Sequence, residues 1–274
     1  MRTHRRRITA GTVIGSILVT VFAAICVLPL LYMLFMSLTQ THTLYIHLNQ
    51  LEYNLKNYYT IIFKNDFGRS LVNSLIVAVL SCLWTDLICA MAAYGFEKKP
   101  LPGKERLFSV VLATMMVPSQ VTLIPLFLIM KQIGWLNTYA GLIIPMAGAF
   151  GIFVIRQFLK GVDNVYIEAA QMDGCPELMI FFRVIIPLIQ PALVSLTIFT
   201  FVASWNSFLW PLVVNTDNSM YTFTVALSLL NAQHNTNYGL TMAASTVSFI
   251  IPFVLYISMQ KQFVEGITLG GVKG

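Results

Sequence analysis

The chain has 274 residues, of which 57% are hydrophobic and 10% charged, with a formal net charge of +6. A soluble domain carries about 25% charged residues, so this chain has too few to cover a water-facing surface, and lipid must be part of its solvent. The cations are not gathered into a stripe with interleaved aromatics, which argues against a nucleic-acid surface. They stand in short clusters between apolar runs, the arrangement of a multi-span membrane protein.

A spanning helix needs about 20 predominantly apolar residues to cross roughly 30 Å of hydrocarbon. In chain order the candidates are 11–38, 71–96, 107–130, 137–155, 184–214 and 239–260. The first follows Arg5, Arg6 and Arg7, as a signal peptide would, but its apolar run is about twice the 7–15 residues of a signal h-region. No A-x-A cleavage site ends it, so it is predicted to remain as a span. Asn73 and Ser74, near the start of the second span, read as helix caps. Pro118 and Pro125 predict a bend in the third span. Ala147 and Gly151 would let a neighbouring helix approach the fourth closely.

With the N-terminus inside, the cytoplasmic segments hold Arg2, Arg5, Arg6, Arg7, Lys98, Lys99, Lys104, Arg106, Arg156, Lys160, Arg183, Lys261 and Lys273. The outer segments hold Lys56, Lys64, Arg69 and Lys131. This bias puts both termini in the cytoplasm. Of the outer segments, 39–70 is polar and aromatic. The other, 215–238, contains an apolar stretch at 223–230 that is too short to span and predicts a surface or interfacial helix. With no repeat or linker, residues 1–274 read as one all-α, polytopic membrane domain.

The four cysteines do not read as a disulfide framework, since Cys26, Cys82 and Cys89 lie in apolar runs and Cys175 in a loop. His4, His42, His47 and His234 are scattered, so no metal site is expected.

The cytoplasmic loop 156–183 carries Asp163-Asn164-Val165-Tyr166-Ile167-Glu168-Ala169-Ala170-Gln171-Met172-Asp173-Gly174. Asp163 or Asn164 suits a helix N-cap, and Gly174 suits the left-handed stop. Pro176 suits the first position of a second helix. On the first helix Val165, Ala169 and Met172 share a face. The small Ala169 and Ala170 would let the helix enter a groove of a partner, with Glu168 as its charge. After Gly174 come nine residues and then Val184-Ile185-Ile186-Pro187, expected to tie the loop rigidly to the fifth span.

This pattern resembles the EAA motif of ABC importer permeases. Val117-Pro118-Ser119-Gln120, Leu136-Asn137-Thr138-Tyr139, Trp205-Asn206-Ser207-Phe208-Leu209-Trp210-Pro211 and Gly270-Gly271-Val272-Lys273-Gly274 are similar to segments of the maltose-type carbohydrate permease family. The resemblance covers nearly the whole chain. It implies a type I importer permease of six transmembrane helices in a bacterial inner or plasma membrane. It also implies two cytoplasmic ABC ATPase subunits, an extracytoplasmic solute-binding protein, and a second permease that is either a related chain or another copy. Glu168, Ala169, Ala170, Asp173, Gly174 and Pro187 would then couple to the ATPase, and Gly270, Gly271 and Lys273 form a candidate coupling tail. The chain needs no cofactor of its own, because ATP and Mg would be used by the partner. Its nearest approach to a Walker A pattern, Gly266-Ile267-Thr268-Leu269-Gly270-Gly271, has its lysine one place late and no Ser/Thr after it. The implied function is translocation of a sugar by alternating access, without catalysis.

Trp205, Asn206, Ser207 and Trp210 combine ring faces with amide and hydroxyl groups, a mixture suited to a carbohydrate. The tryptophans equally suit an outer interfacial belt. Gln120 and Thr122, beside Pro118, are further path candidates. Asp86 is a carboxylate near mid-span, where insertion costs about 2.5–3.5 kcal/mol. It either faces the interior, touching substrate or a partner, or is protonated and packed. A secondary transporter would be expected to carry ionisable groups on several helices of two inverted halves. A membrane enzyme would need an acid–base or nucleophile set. Neither pattern is present.

Overall fold

The computed structural model describes residues 10–43, 53–64, 66–231 and 237–271. The N-terminal arginines, His4, His47, His234 and Lys273 lie outside them. The helices in chain order are α1 (Ala10–Ser37), α2 (Lys56–Phe63), α3 (Phe67–Lys98), α4 (Lys104–Thr114), α5 (Ser119–Gln132), α6 (Tyr139–Met146), α7 (Ala149–Leu159), α8 (Val165–Met172), α9 (Glu177–Leu188), α10 (Gln190–Trp205), α11 (Leu209–Val214), α12 (Phe223–Asn231) and α13 (Tyr238–Gly271). Among the described residues the extended structure is a single antiparallel bridge, Thr39 to Tyr53, so the chain is all-α.

Three of the expected spans are unbroken helices, α1, α3 and α13. The other three are bent pairs: α4 with α5 at 98°, α6 with α7 at 44°, and α9 with α10 at 79°. Each break has a local cause. Pro118 disfavours helical backbone at Val117 and itself sits extended before α5, at φ −59° and ψ 134°. Gly148 is fully extended, at φ −144° and ψ 176°. Pro187 and Pro191 remove the donors that would bond the carbonyls four residues earlier, and α9 contains a π-turn over Phe181–Ile185.

Three expectations are corrected here. The fourth and fifth spans are broken rather than continuous, and the fifth helix ends at Trp205, with α11 a separate piece, whereas the bend expected in the third span is present at Pro118 but not at Pro125, which lies within α5. The loop therefore reaches α10 through a 79° bend rather than along a straight helix. The helix at 223–230 exists, but Phe223 and Val225 are completely buried. Phe223 meets the Phe67 ring edge-on at 6.0 Å and donates its backbone N–H to Ser74 Oγ at 2.7 Å, so this end of α12 is packed rather than superficial.

The described residues fall into two compact units, one comprising those up to 64 with 230–247, the other 66–229 with 248–271. In the first, α1 exposes Ile14, Val19 and Phe22, the apolar surface of a helix solvated by lipid. Its end is fastened by polar groups: Asn57 Nδ2 donates to Ser37 O at 3.0 Å and Thr39 O at 2.7 Å. A Cβ on Gly239 would lie 1.9 Å from Thr39 O, so only glycine allows that approach.

The second unit is organised around α3, packed between α7 and α10. One core cluster joins Cys89, Ala90, Ala93 and Tyr94 of α3 to Ile155 and Leu159 of α7, Ile185 of α9 and Leu196 of α10. Small residues permit this closeness. A Cβ on Gly151 would lie 2.6 Å from Cys89 Sγ, the approach anticipated for Gly151, whereas Ala147 falls in the α6–α7 break.

Candidate functional site

The loop between α7 and α9 is built as its punctuation suggests. Val165 N–H is accepted by Asp163 Oδ1 at 3.2 Å, and Gly174 takes the left-handed conformation at φ 73°. Asp173 is the C-cap, its N–H donating to Ala169 O at 3.0 Å. Pro176 stands one place before α9, as its N-cap rather than its first residue. The helix between them, α8, is two-faced. Ile167 and Ala170 turn inward and join the core cluster. Val165, Glu168, Ala169 and Met172 are exposed, Met172 at 89%. Ala170, grouped with the docking residues by its place in the motif, is 9% exposed and anchors the helix from behind. Pro187 is exposed, near the end of α9 and well past the loop.

The end of α3 meets this loop through charged side chains. Arg156, 2% exposed on α7, donates from Nε to Glu97 Oε2 at 2.9 Å and from Nη2 to Glu105 Oε1 at 2.5 Å. Its guanidinium lies 4.0 Å from the centre of the Phe108 ring, a cation–π contact. Lys98 Nζ donates to Val162 O at 2.5 Å and Asn164 Oδ1 at 2.9 Å. Lys99 pairs with Glu177, whose Oε1 also accepts the Tyr94 hydroxyl at 2.5 Å. Sequence reasoning counted Lys98, Lys99 and Arg156 for topology and missed this role. The available signal was the carboxylates, Glu97, Glu105 and Glu177, interspersed among loop cations.

A cleft of about 250 Å³ opens between α3, the α6–α7 break and α10, lined by Thr85, Gly148, Phe150, Leu196, Phe199 and Thr200 among others. Phe150 and Phe199 meet edge-on at 5.5 Å. Thr85 Oγ is buried and makes no hydrogen bond within the chain. A buried hydroxyl without a partner is costly, and this one stands behind the cleft wall with its oxygen closed to solvent. Nothing in the sequence distinguished Thr85 from other hydroxyls in apolar helices.

The expected path residues are dispersed. Trp205 is 1% exposed, stacked on Phe201 at 5.9 Å and near-parallel to Phe223 at 6.5 Å, with its indole N–H donating to Ser248 O at 2.9 Å. This corrects both earlier readings of Trp205: its ring is occupied by protein, so it neither offers a sugar platform nor sits in an interfacial belt. Trp210 packs beside Leu142 and Val214 and donates to Gly141 O at 3.1 Å. Ser207 O accepts Thr224 Oγ at 2.8 Å, and Asn206 is exposed. Gln120 and Thr122 lie on exposed turns of α5, Thr122 Oγ donating to Ser119 O at 3.0 Å. Asp86 Oδ2 meets Thr197 Oγ at 2.6 Å, while that hydroxyl also contacts Leu193 O at 2.9 Å. Thr197 has one proton to share between them. Gly270 and Gly271 fall at the end of α13.

At the other end of α3, Asn73 and Ser74 lie inside the helix rather than capping it. Asn73 Nδ2 donates to Ser219 O at 2.8 Å and Tyr221 O at 3.1 Å, and its Oδ1 accepts the Tyr139 hydroxyl at 2.7 Å. Asn137, in the left-handed conformation at φ 57°, accepts the N–H groups of Thr216 and Asp217 on Oδ1 at 2.7 and 3.0 Å.

Comparison with known proteins gives this arrangement its context. Residues 87–268 match the family described as binding-protein-dependent transport system inner membrane component. The chain is 36% identical over 210 residues to the arabinooligosaccharides transport system permease protein AraQ of Halalkalibacterium halodurans, covering 76% of this chain and 74% of that one. It is 36% identical over 202 residues to the lactose transport system permease protein LacG of Rhizobium radiobacter, covering 73% and 74%. A chain in the crystal structure of a bacterial ABC transporter involved in importing the acidic polysaccharide alginate shares the fold, with a TM-score of 0.80 at 22% identity, over 96% of this chain and all of that one. The chain thus belongs to the inner-membrane permease components of binding-protein-dependent transport systems.

Proposed function

We propose that this permease imports a neutral sugar or oligosaccharide, with α8 docking into a cleft of a cytoplasmic ATPase and both chain termini on that same side. The observation that carries the reading is the two-faced construction of α8. Its inner residues are fixed in the core, while Val165, Glu168, Ala169 and Met172 form a free surface with one carboxylate. A helix held this way transfers a push from a partner to the membrane helices behind it. The similarity to permeases named for arabinooligosaccharides and lactose supports a sugar substrate. The family's dependence on a binding protein supports delivery from the outer face. Two ATPase copies and a second permease, related or identical, complete the assembly. The 1–274 chain acts as one permease domain without a nucleotide site.

Within the chain, the substrate path runs along the Thr85–Thr200 cleft. Two neutral hydroxyls beside aromatic ring edges suit a sugar, whereas the ring of Trp205 is already occupied. The test is purification of the complex followed by lactose and arabinotriose uptake into vesicles. Glu168→Lys is expected to reach the membrane yet lose its ATPase and abolish uptake. A Glu168→Lys complex that keeps its ATPase and imports normally would remove α8 from the docking role. Thr85→Val is expected to keep the ATPase and weaken uptake. Unchanged uptake would move the path elsewhere.

A further inference from the structure

Helix α3 ends on Glu97, Lys98 and Lys99, and each grips a different stretch of chain around α8. Glu97 holds Arg156 on α7, before the loop. Lys98 holds Val162 O and Asn164 Oδ1, at the start of α8. Lys99 holds Glu177, just after α8 ends, with its ammonium 4.9 Å from the centre of the Tyr94 ring. Between these grips, Ile167 and Ala170 of α8 pack in one cluster with Ala90, Ala93 and Tyr94 of α3. One helix terminus therefore brackets the docking helix at both ends.

The covalent route from α8 to α10 is not one continuous helix. It passes through the π-turn at Phe181–Ile185 and the 79° bend before Gln190. By contrast α3 is unbroken over 32 residues. It carries Thr85 into the cleft, thirteen residues or about 20 Å along the helix from Lys98. A stiff rod gripped at one end moves its other residues with it.

We propose that Lys98 and Lys99 are positioning residues that make α8 and α3 move as one body, so that ATPase movement reaches the cleft through α3 rather than along the chain into α10. This rests on the reading of α8 as the ATPase-docking helix. The plainer account of two lysines at a helix C-terminus is complementarity to the helix dipole. That account gives Glu177 no part in the effect, and the two separate under charge exchange.

The experiment reads ATP hydrolysis by the full complex of both permeases, both ATPases and the binding protein in lipid nanodiscs. Thr85→Trp wedges the cleft and is expected to slow hydrolysis about tenfold, within the usual range of coupling between sites. In a Lys99→Glu background the wedge should cost less than about twofold, because the cleft no longer reports to the motor. Restoring the pair as Lys99→Glu with Glu177→Lys should restore the wedge's full effect, although it puts a carboxylate at the helix end. Lys99→Met provides the same uncoupled background if the charge reversal fails to assemble. The proposal is overturned if Thr85→Trp leaves hydrolysis unchanged in the wild-type background, if the wedge acts equally with and without Lys99, or if the exchanged pair does not rescue. Failure of the docking reading appears separately, as a Glu168→Lys complex that retains its ATPase.

Discussion

The two ends of α3 are fastened by different chemistry. At its C-terminal end the partners are charged: Arg156 between Glu97 and Glu105, and Lys99 against Glu177. At its N-terminal end they are neutral: Asn73 bonded to two carbonyls and a tyrosine hydroxyl, and Ser74 bonded to the Phe223 N–H. Neutral hydrogen bonds to backbone groups demand close geometry and weaken steeply when displaced. Charge pairs act over longer distances. The charged fastening stands on the α8 side of α3 and the neutral one at its opposite end.

The comparison breaks first at Arg156. Its guanidinium is almost wholly buried, and removing it strands the charge of Glu97, which is mostly buried, whereas Glu105 already faces solvent. Arg156→Met is therefore expected to destabilise the permease by about 3 kcal/mol, measured as a lower melting temperature in detergent. An unchanged melting temperature would mean that the carboxylates find water. Next, Asn73→Leu removes three neutral bonds and leaves two carbonyls without that donor, at a cost of about 2 kcal/mol. The ATPase should stay bound to this variant, and loss of the ATPase would show that the two ends are not separate in role. The smallest effect is that of salt. Raising ionic strength should speed amide exchange around Glu177, whose pair with Lys99 is partly exposed, and leave exchange around Ser219 and Tyr221 unchanged. Equal responses at both ends would erase the distinction.

Much of the loop could be read in advance because its signals are local. Gly174 at a positive φ and Asp163 beside the first turn of α8 act through their own backbone, whatever packs around them. The proline-linked break before α5 has the same character. The facing of residues was not legible. Ala169 and Ala170 are chemically identical neighbours, yet one is exposed and the other lies in the core. By composition Trp205 suited a sugar path or an interfacial belt, and only its neighbours Phe201, Phe223 and Ser248 show that it is packed in protein.

The amino-acid sequence by itself determined that this protein lives in lipid, where its apolar segments lie, and where α8 starts and stops. Apolar length, charge asymmetry and glycine or proline backbone limits are properties of short stretches of chain. The tertiary structure decided which side of each helix meets protein, where the cleft opens, and that the end of α3 grips both sides of α8. A helix that is apolar all round carries no polar stripe to fix its orientation. Residues as far apart as Lys99 and Glu177 become partners only once α3, α7 and α8 have packed.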